Sequence, residues 1–313
     1  MTTVACRLSM PDREHLYAHV EQNARHARTM VQQNSQLGRS VTICGAGPSL
    51  ATHADHLPAT RHVWACNSAL PYLKDRGVRV THGVTIDQGQ AMLGPEEWGR
   101  TFGVTYLVAS CVNPALVTHL LADSRPIRFF HSYIGIPDPE GWSPPEPGLS
   151  YEMWLYRTKY KPSVQVGYGL NCVPRAICLA LYMGYADIRV YGADCACKPD
   201  APPMPLYGST EYAAWMDALV MYASGRTVGQ AFGHEPPMAE AVIDGVRWHT
   251  RVDMIVSARH MLDLQRDYPN RITFHGEGLP TVFARQGPEF HEGLPALTGV
   301  GHVTGFGPAV VVA

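Results

Sequence analysis

The sequence predicts a doubly wound, mostly parallel α/β fold of Rossmann-like type, with an irregular lid inserted late in the chain. Three observations carry that prediction. Short β-branched or apolar runs alternate with helix-like segments along most of the 313 residues. Several of these runs stop at small or polar residues, as strands do where they open into a βα turn. Hydrophobic residues make up 46% of the chain and charged residues 17%, enough apolar material for a sizeable core.

Residues 11–35 are polar with spaced Leu, Val, Ala and Met, and read as one amphipathic helix entering the sheet. Four βα-like units come next. The first strand, 41–44, ends in Gly45-Ala46-Gly47-Pro48-Ser49, and the second, 62–66, ends in Asn67-Ser68. The third, 80–86, stops at Asp87, and the fourth, 104–110, leads to Asn113-Pro114, a helix-start pair. A fifth strand is expected at 127–131, before a Pro- and Gly-rich stretch over 133–150. Gly167 and Gly169 precede Asn171 and an apolar helix to Met183, and the strand 188–191 closes on Gly192-Ala193-Asp194. A helix at about 250–267 and a strand at 271–274 complete the pattern. The expected organisation is an N-terminal helix (1–38), a nucleotide-binding core (39–194), a lid or substrate-binding insertion (195–247), a helix and strand completing the core (248–285), and a Gly/Pro-rich tail (286–313).

Composition narrows the function classes. A formal net charge of -2 gives no electrostatic case for nucleic acid or an anionic membrane. No apolar stretch is long enough to span a bilayer, and no basic segment followed by an apolar run marks a secretory signal. Of eight cysteines none forms a CxxC pair, so a reducing cytoplasm is the expected location. Cys195-Ala-Cys197 stands without the second pair that a structural zinc site needs.

Ligands of open α/β sheets bind outside the carboxyl ends of the strands, and the polar residues gather at those ends. Gly45 and Gly47 permit close backbone approach to a phosphate or ribose, with helical N–H groups beyond them. Asn67 either caps the next helix or hydrogen-bonds a base or ribose. Asp87 and Asp194 both close strands; the pair suits Mg²⁺ held against a triphosphate, and helix capping is the alternative. Gly167, Gly169 and Asn171 form a second glycine turn at a helix start, either an anion site or a tight entry. His234 and His249 flank the lid and are candidate general bases. Arg247 and Arg251, beside Trp248, are candidates to steady a diphosphate.

Taken in order, Gly45-Ala-Gly-Pro-Ser-Leu50, Cys66-Asn-Ser-Ala-Leu70, Thr85-Ile-Asp87 and Val166-Gly-Tyr-Gly-Leu through Val190-Tyr-Gly-Ala-Asp194 resemble a known family. It is that of the MptE-like 6-hydroxymethylpterin diphosphokinases and motility accessory factors, similar in fold to bacterial sialyltransferases that use CMP-sugars. The resemblance covers about residues 20 to 195, and more loosely the helix and strand at 250–280. It implies nucleotide binding by Gly45, Gly47, Ser49 and Asn67, with Asp87 and Asp194 lining the site. Ala193 stands where the family commonly has Gln.

The resemblance implies a transferase acting on a nucleotide donor and a small-molecule acceptor. Mg²⁺-dependent diphosphoryl transfer from ATP to a hydroxymethylpterin-like acceptor leads. A metal-independent CMP-sugar glycosyltransferase is the alternative, and a non-catalytic nucleotide-binding module is the third.

Overall fold

The computed structural model describes residues 13–27, 29–58, 60–88, 103–132, 138–161, 163–164, 166, 171–196, 238–243 and 246–286. Seven strands form one parallel sheet: β1 (Ser40–Cys44), β2 (Val63–Cys66), β3 (His82–Thr85), β4 (Thr105–Ala109), β5 (Ile127–Phe130), β6 (Asp187–Tyr191) and β9 (Ile272–Phe274). Their order is β5-β4-β3-β2-β1-β6-β9. The chain therefore lays β1 to β5 outward in one direction, then returns to add β6 and β9 on the other side of β1. That reversal makes the carboxyl ends of β1 and β6 the topological switch point.

Burial on both faces explains why these strands read as nearly continuous apolar runs rather than alternating ones. Val41, Ile43, Trp64, Ala65, Val84, Tyr106, Leu107 and Val108 are all buried in the main core. Helices flank the sheet: α1 (Arg13–Ala24), α2 (Leu50–His53), α3 (Ala69–Asp75), α4 (Pro114–Ala122), α5 (Tyr151–Lys159), α6 (Cys172–Tyr182), α7 (Val252–Asp267) and α8 (Leu279–Gln286). The helix α6 is buried from Cys172 through Ala180, which explains its apolar sequence all round. Among the described residues, side-chain caps start three helices: Asn113 accepts from Ala115 N–H, Ser150 from Met153 N–H and Asn171 from Val173 N–H.

Two segments differ from the sequence expectation. The helix expected over 11–35 ends at Ala24, because tertiary contacts hold the residues on either side of that end. Asn23, fully buried, donates from Nδ2 to the carbonyls of Ser110 and Val112, and Met30 bridges to Phe129 in β5. Residues 33–38 then form turns, with Asn34 and Gly38 at φ of 53° and 74°.

The second correction concerns the stretch read as irregular up to residue 247. It contains an antiparallel hairpin, β7 (Met238–Ile243) with β8 (Val246–Arg251), and α7 starts at Val252. Asp244-Gly245 between two alternating runs is the sequence signal for such a hairpin. Trp248 of β8 packs with Ala258, Leu262, Leu279 and Phe283 in a second, smaller core.

Candidate functional site

The carboxyl ends of β1, β2, β3 and β6 present the residues singled out in the sequence, and the structure uses them in two different ways. At the switch point the β1 turn is bonded to the β6 exit. Gly45 N–H donates to Tyr191 O at 2.8 Å and Gly47 N–H to Gly192 O at 2.8 Å. Ser49 donates its backbone N–H to Asp194 Oδ2 at 2.6 Å and its hydroxyl to Asp194 Oδ1 at 2.5 Å. Both carboxylate oxygens of Asp194 are thereby engaged. Burial pushes the Asp194 carboxyl above its ordinary range, opposed by the two Ser49 donors and by nearby His53.

The glycines here are dictated by close packing. A Cβ on Gly45 would collide with Gly192 O, and one on Gly47 would lie 2.5 Å from Asp194 Oδ2. The turn after β9 closes the junction from the far side. A Cβ on Gly278 would collide with Asp194 Cα, and Leu279 N–H donates to Asp194 O at 2.8 Å. The strand-end motifs do not include Gly276 or Gly278; a tight Gly-x-Gly turn before a helix is the signal that finds them.

One strand further out the pattern changes. Asn67 lies in the left-handed region at φ 47°, its N–H donating to Val84 O. Its Oδ1 is buried and has no hydrogen-bond partner among the described residues. The capping alternative for Asn67 is not realised, because Ser68 holds the N-cap position of α3 and makes no side-chain cap bond. An unpaired buried amide oxygen is unfavourable by itself, and Asn67 shares that condition with other buried side chains, Trp64 Nε1 and Tyr72 OH among them.

Asp87 follows β3; its N–H donates to Thr85 Oγ1, and its carbonyl accepts weakly from Asn113 N–H at 3.4 Å. Asn171 caps α6 through Oδ1 and donates from Nδ2 to Met254 Sδ at 3.5 Å. Cys172 Sγ–H donates to Val84 O, which ties the start of α6 to β3.

Asp87 and Asp194 emerge from strands three places apart in the order β3-β2-β1-β6. The Asp194 carboxylate lies over the β1 turn, bonded to Ser49 through both oxygens. Among the described residues no group of three or more His, Cys, Asp or Glu is placed to hold a metal.

The remaining candidates divide. Gly167, Gly169, His234 and Cys197 lie outside the described residues. His249 sits in β8 opposite Glu240, with Arg247 and Arg251 in the same strand. Cys195 accepts a hydrogen bond at its carbonyl from Thr250 Oγ1, so the hairpin is tethered next to Asp194. Cys44 and Cys111 are buried apolar groups: burial pushes the Cys44 thiol up to about 12 and Cys111 to about 11. No helix among the described residues is long and apolar enough to cross a membrane.

Comparison with known proteins fits this geometry. Residues 14–200 match the family described as 6-hydroxymethylpterin diphosphokinase MptE-like. Among solved structures the chain is similar to the MAf glycosyltransferase from Magnetospirillum magneticum AMB-1, with a TM-score of 0.54 at 13% identity. The similarity covers 87% of this chain and 40% of that one, so this chain spans well under half of that protein's length. A short chain alcohol dehydrogenase (rspB) from E. coli CFT073, solved with NADH, aligns at 10% identity over 40% of this chain and 45% of its own. Its TM-score of 0.15 is too low to indicate a common architecture. No curated protein matches the chain.

Proposed function

The chain belongs to the MptE-like family, and from that premise we propose that it is a transferase that takes a nucleotide as donor. The observation that carries this reading is Asn67: a buried amide oxygen without a partner, on left-handed backbone, at the carboxyl end of β2 between the glycine turn and Asp87. That oxygen can accept from a ribose hydroxyl or an exocyclic base amine. In this reading Gly45, Ala46, Gly47, Pro48 and Ser49, which follow β1, and Ser68, at the start of α3, are the nucleotide contacts beside it, and Asn171 caps α6.

The leading reaction is transfer of a diphosphoryl group from ATP, supplied as its Mg²⁺ complex, to the hydroxyl of a hydroxymethylpterin-like acceptor. The acceptor oxygen forms the new P–O bond, AMP leaves, and the acceptor proton passes to a base. In this reading Asp87 is the carboxylate on the ligand side of the sheet, and Asp194 holds the turn. Catalysis then rests on positioning and charge neutralisation.

The engagement of Asp194 with Ser49 favours a second reading, a CMP-sugar glycosyltransferase that needs no protein-bound metal. Calorimetric titration with ATP and with CMP, each with and without Mg²⁺, separates the two. Diphosphoryl transfer predicts ATP binding that requires Mg²⁺ and is lost in Asp87→Ala. Metal-independent CMP binding supports glycosyl transfer, and saturable binding without turnover leaves a nucleotide-binding module. Absence of binding by any of these ligands rejects the nucleotide-donor reading.

A further inference from the structure

The strands of the main sheet all run the same way, so their amino ends share the edge opposite the candidate site. The chain enters that edge through arginines. Arg39 directly precedes β1, Arg61 lies two residues before β2 and Arg79 three before β3, and Arg128 is the second residue of β5. Because β1, β2 and β3 are neighbours, spaced about 4.8 Å apart, Arg39, Arg61 and Arg79 form one row. All three are exposed.

The field along this row is positive. Burial, with Arg39 and Arg61 beside it, holds His62 below its ordinary pKa. Burial, then His62 and Arg128, push His82 down to about 3. No carboxylate is among the groups acting on either ring. Three acidic residues near this edge have partners of their own: Asp55 pairs with Arg76, Asp123 with Arg125 and Asp187 with Arg189. Asp75 and Asp267, which end α3 and α7, oppose the row only in part. Arg39 donates to the neutral Gln36 Oε1, and Arg61 and Arg79 have no ion-pair partner among the described residues. The whole chain carries a formal charge of -2, so the row is a local asymmetry rather than a general excess of basic residues.

The row also has a fixed base. His62 Nδ1 and Tyr185 OH share a hydrogen bond at 2.5 Å, Tyr185 meets Trp64 edge-on at 5.5 Å, and His82 packs beside Trp64 at 5.4 Å. Leu37, 73% exposed, is the most exposed large hydrophobic among the described residues and lies two positions before Arg39.

We propose that this amino edge is a docking surface for an acidic segment of a partner protein, whose carboxylates face Arg39, Arg61 and Arg79 and whose apolar side chain covers Leu37. A nucleic acid fits less well, because Trp64 and Tyr185 are fully buried and this layer offers bases no ring to stack on. One exposed leucine is too little apolar surface to enter a bilayer. Docking here leaves the carboxyl ends of the strands open, so the inference is independent of the nucleotide-donor reading.

The test is fluorescence anisotropy with a labelled oligoglutamate peptide carrying a central leucine. Binding should weaken with added salt and fall about tenfold in Arg39→Ala/Arg61→Ala/Arg79→Ala. The control Arg157→Ala/Lys159→Ala removes two exposed cations from α5 and should leave affinity within about twofold. Should the triple variant not fold, Arg61→Glu is read by the same comparison. The proposal is overturned by a peptide that does not bind, by an equal loss in the control, or by tighter binding of single-stranded oligothymidylate or phosphatidylserine vesicles.

Discussion

At the β1–β6–β9 junction, polar residues and glycines are consumed by one another: Ser49 is bonded twice to Asp194, and Gly45, Gly47 and Gly278 leave no room for a Cβ. At the β2–β3 edge, the side-chain oxygen of Asn67 is buried and unmatched, and Asp87 stands beyond the strand end. In sequence the two regions look alike, since each ends a strand in small and polar residues. The difference teaches that similar strand-end motifs can be used differently once the chain is folded. At the junction the polar groups bond to one another and hold a turn in place; at the adjacent strand end Asn67 Oδ1 has no hydrogen-bond partner among the described residues, which is what the nucleotide-donor proposal builds on.

The comparison can be broken most forcefully at Gly47. Placing Val there drives a side chain into Asp194 Oδ2 and Gly192 O. We expect a loss of about 3 kcal/mol of stability in urea denaturation. A folded Gly47→Val chain of wild-type stability would show that the junction is looser than the glycine packing requires.

Asp194→Ala should follow, with a loss of about 2 kcal/mol, because Ser49 N–H and O–H then lack their acceptor. Thermal unfolding monitored by circular dichroism checks it, and an unchanged midpoint would remove Asp194 from the architectural half of the comparison.

Asn67→Gly sharpens the other half. Glycine accepts the left-handed backbone, so stability should hold within about 0.5 kcal/mol. Nucleotide affinity should drop about tenfold, equivalent to about 1.4 kcal/mol, measured by calorimetry. An unchanged affinity would assign Asn67 to the architectural class as well.

The smallest effect is one of pH. The folded-state pKa of Asp194 is raised by burial, so its contribution to stability is fully present below the ordinary carboxylate pKa. That contribution is lost as pH rises toward the folded value. The stability of Asp194→Asn relative to wild type should therefore improve from about pH 3 to about pH 6 in denaturant titrations. A relative stability that worsens over that range would mean that the Ser49 donors outweigh desolvation.

How legible all this was in the sequence varies with the range of the interaction. The seven parallel strands were readable because Val-Thr-Ile-Cys44 or Tyr-Leu-Val-Ala109 report double-sided burial locally. The hairpin at 238–251 carried its signal in Asp244-Gly245, but the prolines before it dominate the local pattern. The early end of α1 was not readable, because Asn23 is held by carbonyls of Ser110 and Val112, far along the chain. Asp87 and Asp194 were identifiable as strand-end carboxylates; the commitment of Asp194 to Ser49 was not.

By itself the sequence determined that this chain folds as an α/β protein of the MptE-like family, and which strand ends carry polar groups. Periodicity, glycine turns and capping residues are properties of neighbours along the chain, so one sequence exposes them. The tertiary structure alone decided which of those groups remain available. Strand order brings Asp194 onto Ser49 from 145 positions along the chain, leaves Asp87 three strands away, and keeps the Asn67 oxygen unmatched. Hydrogen-bond satisfaction is a property of packed neighbours in space, and only the folded chain specifies them.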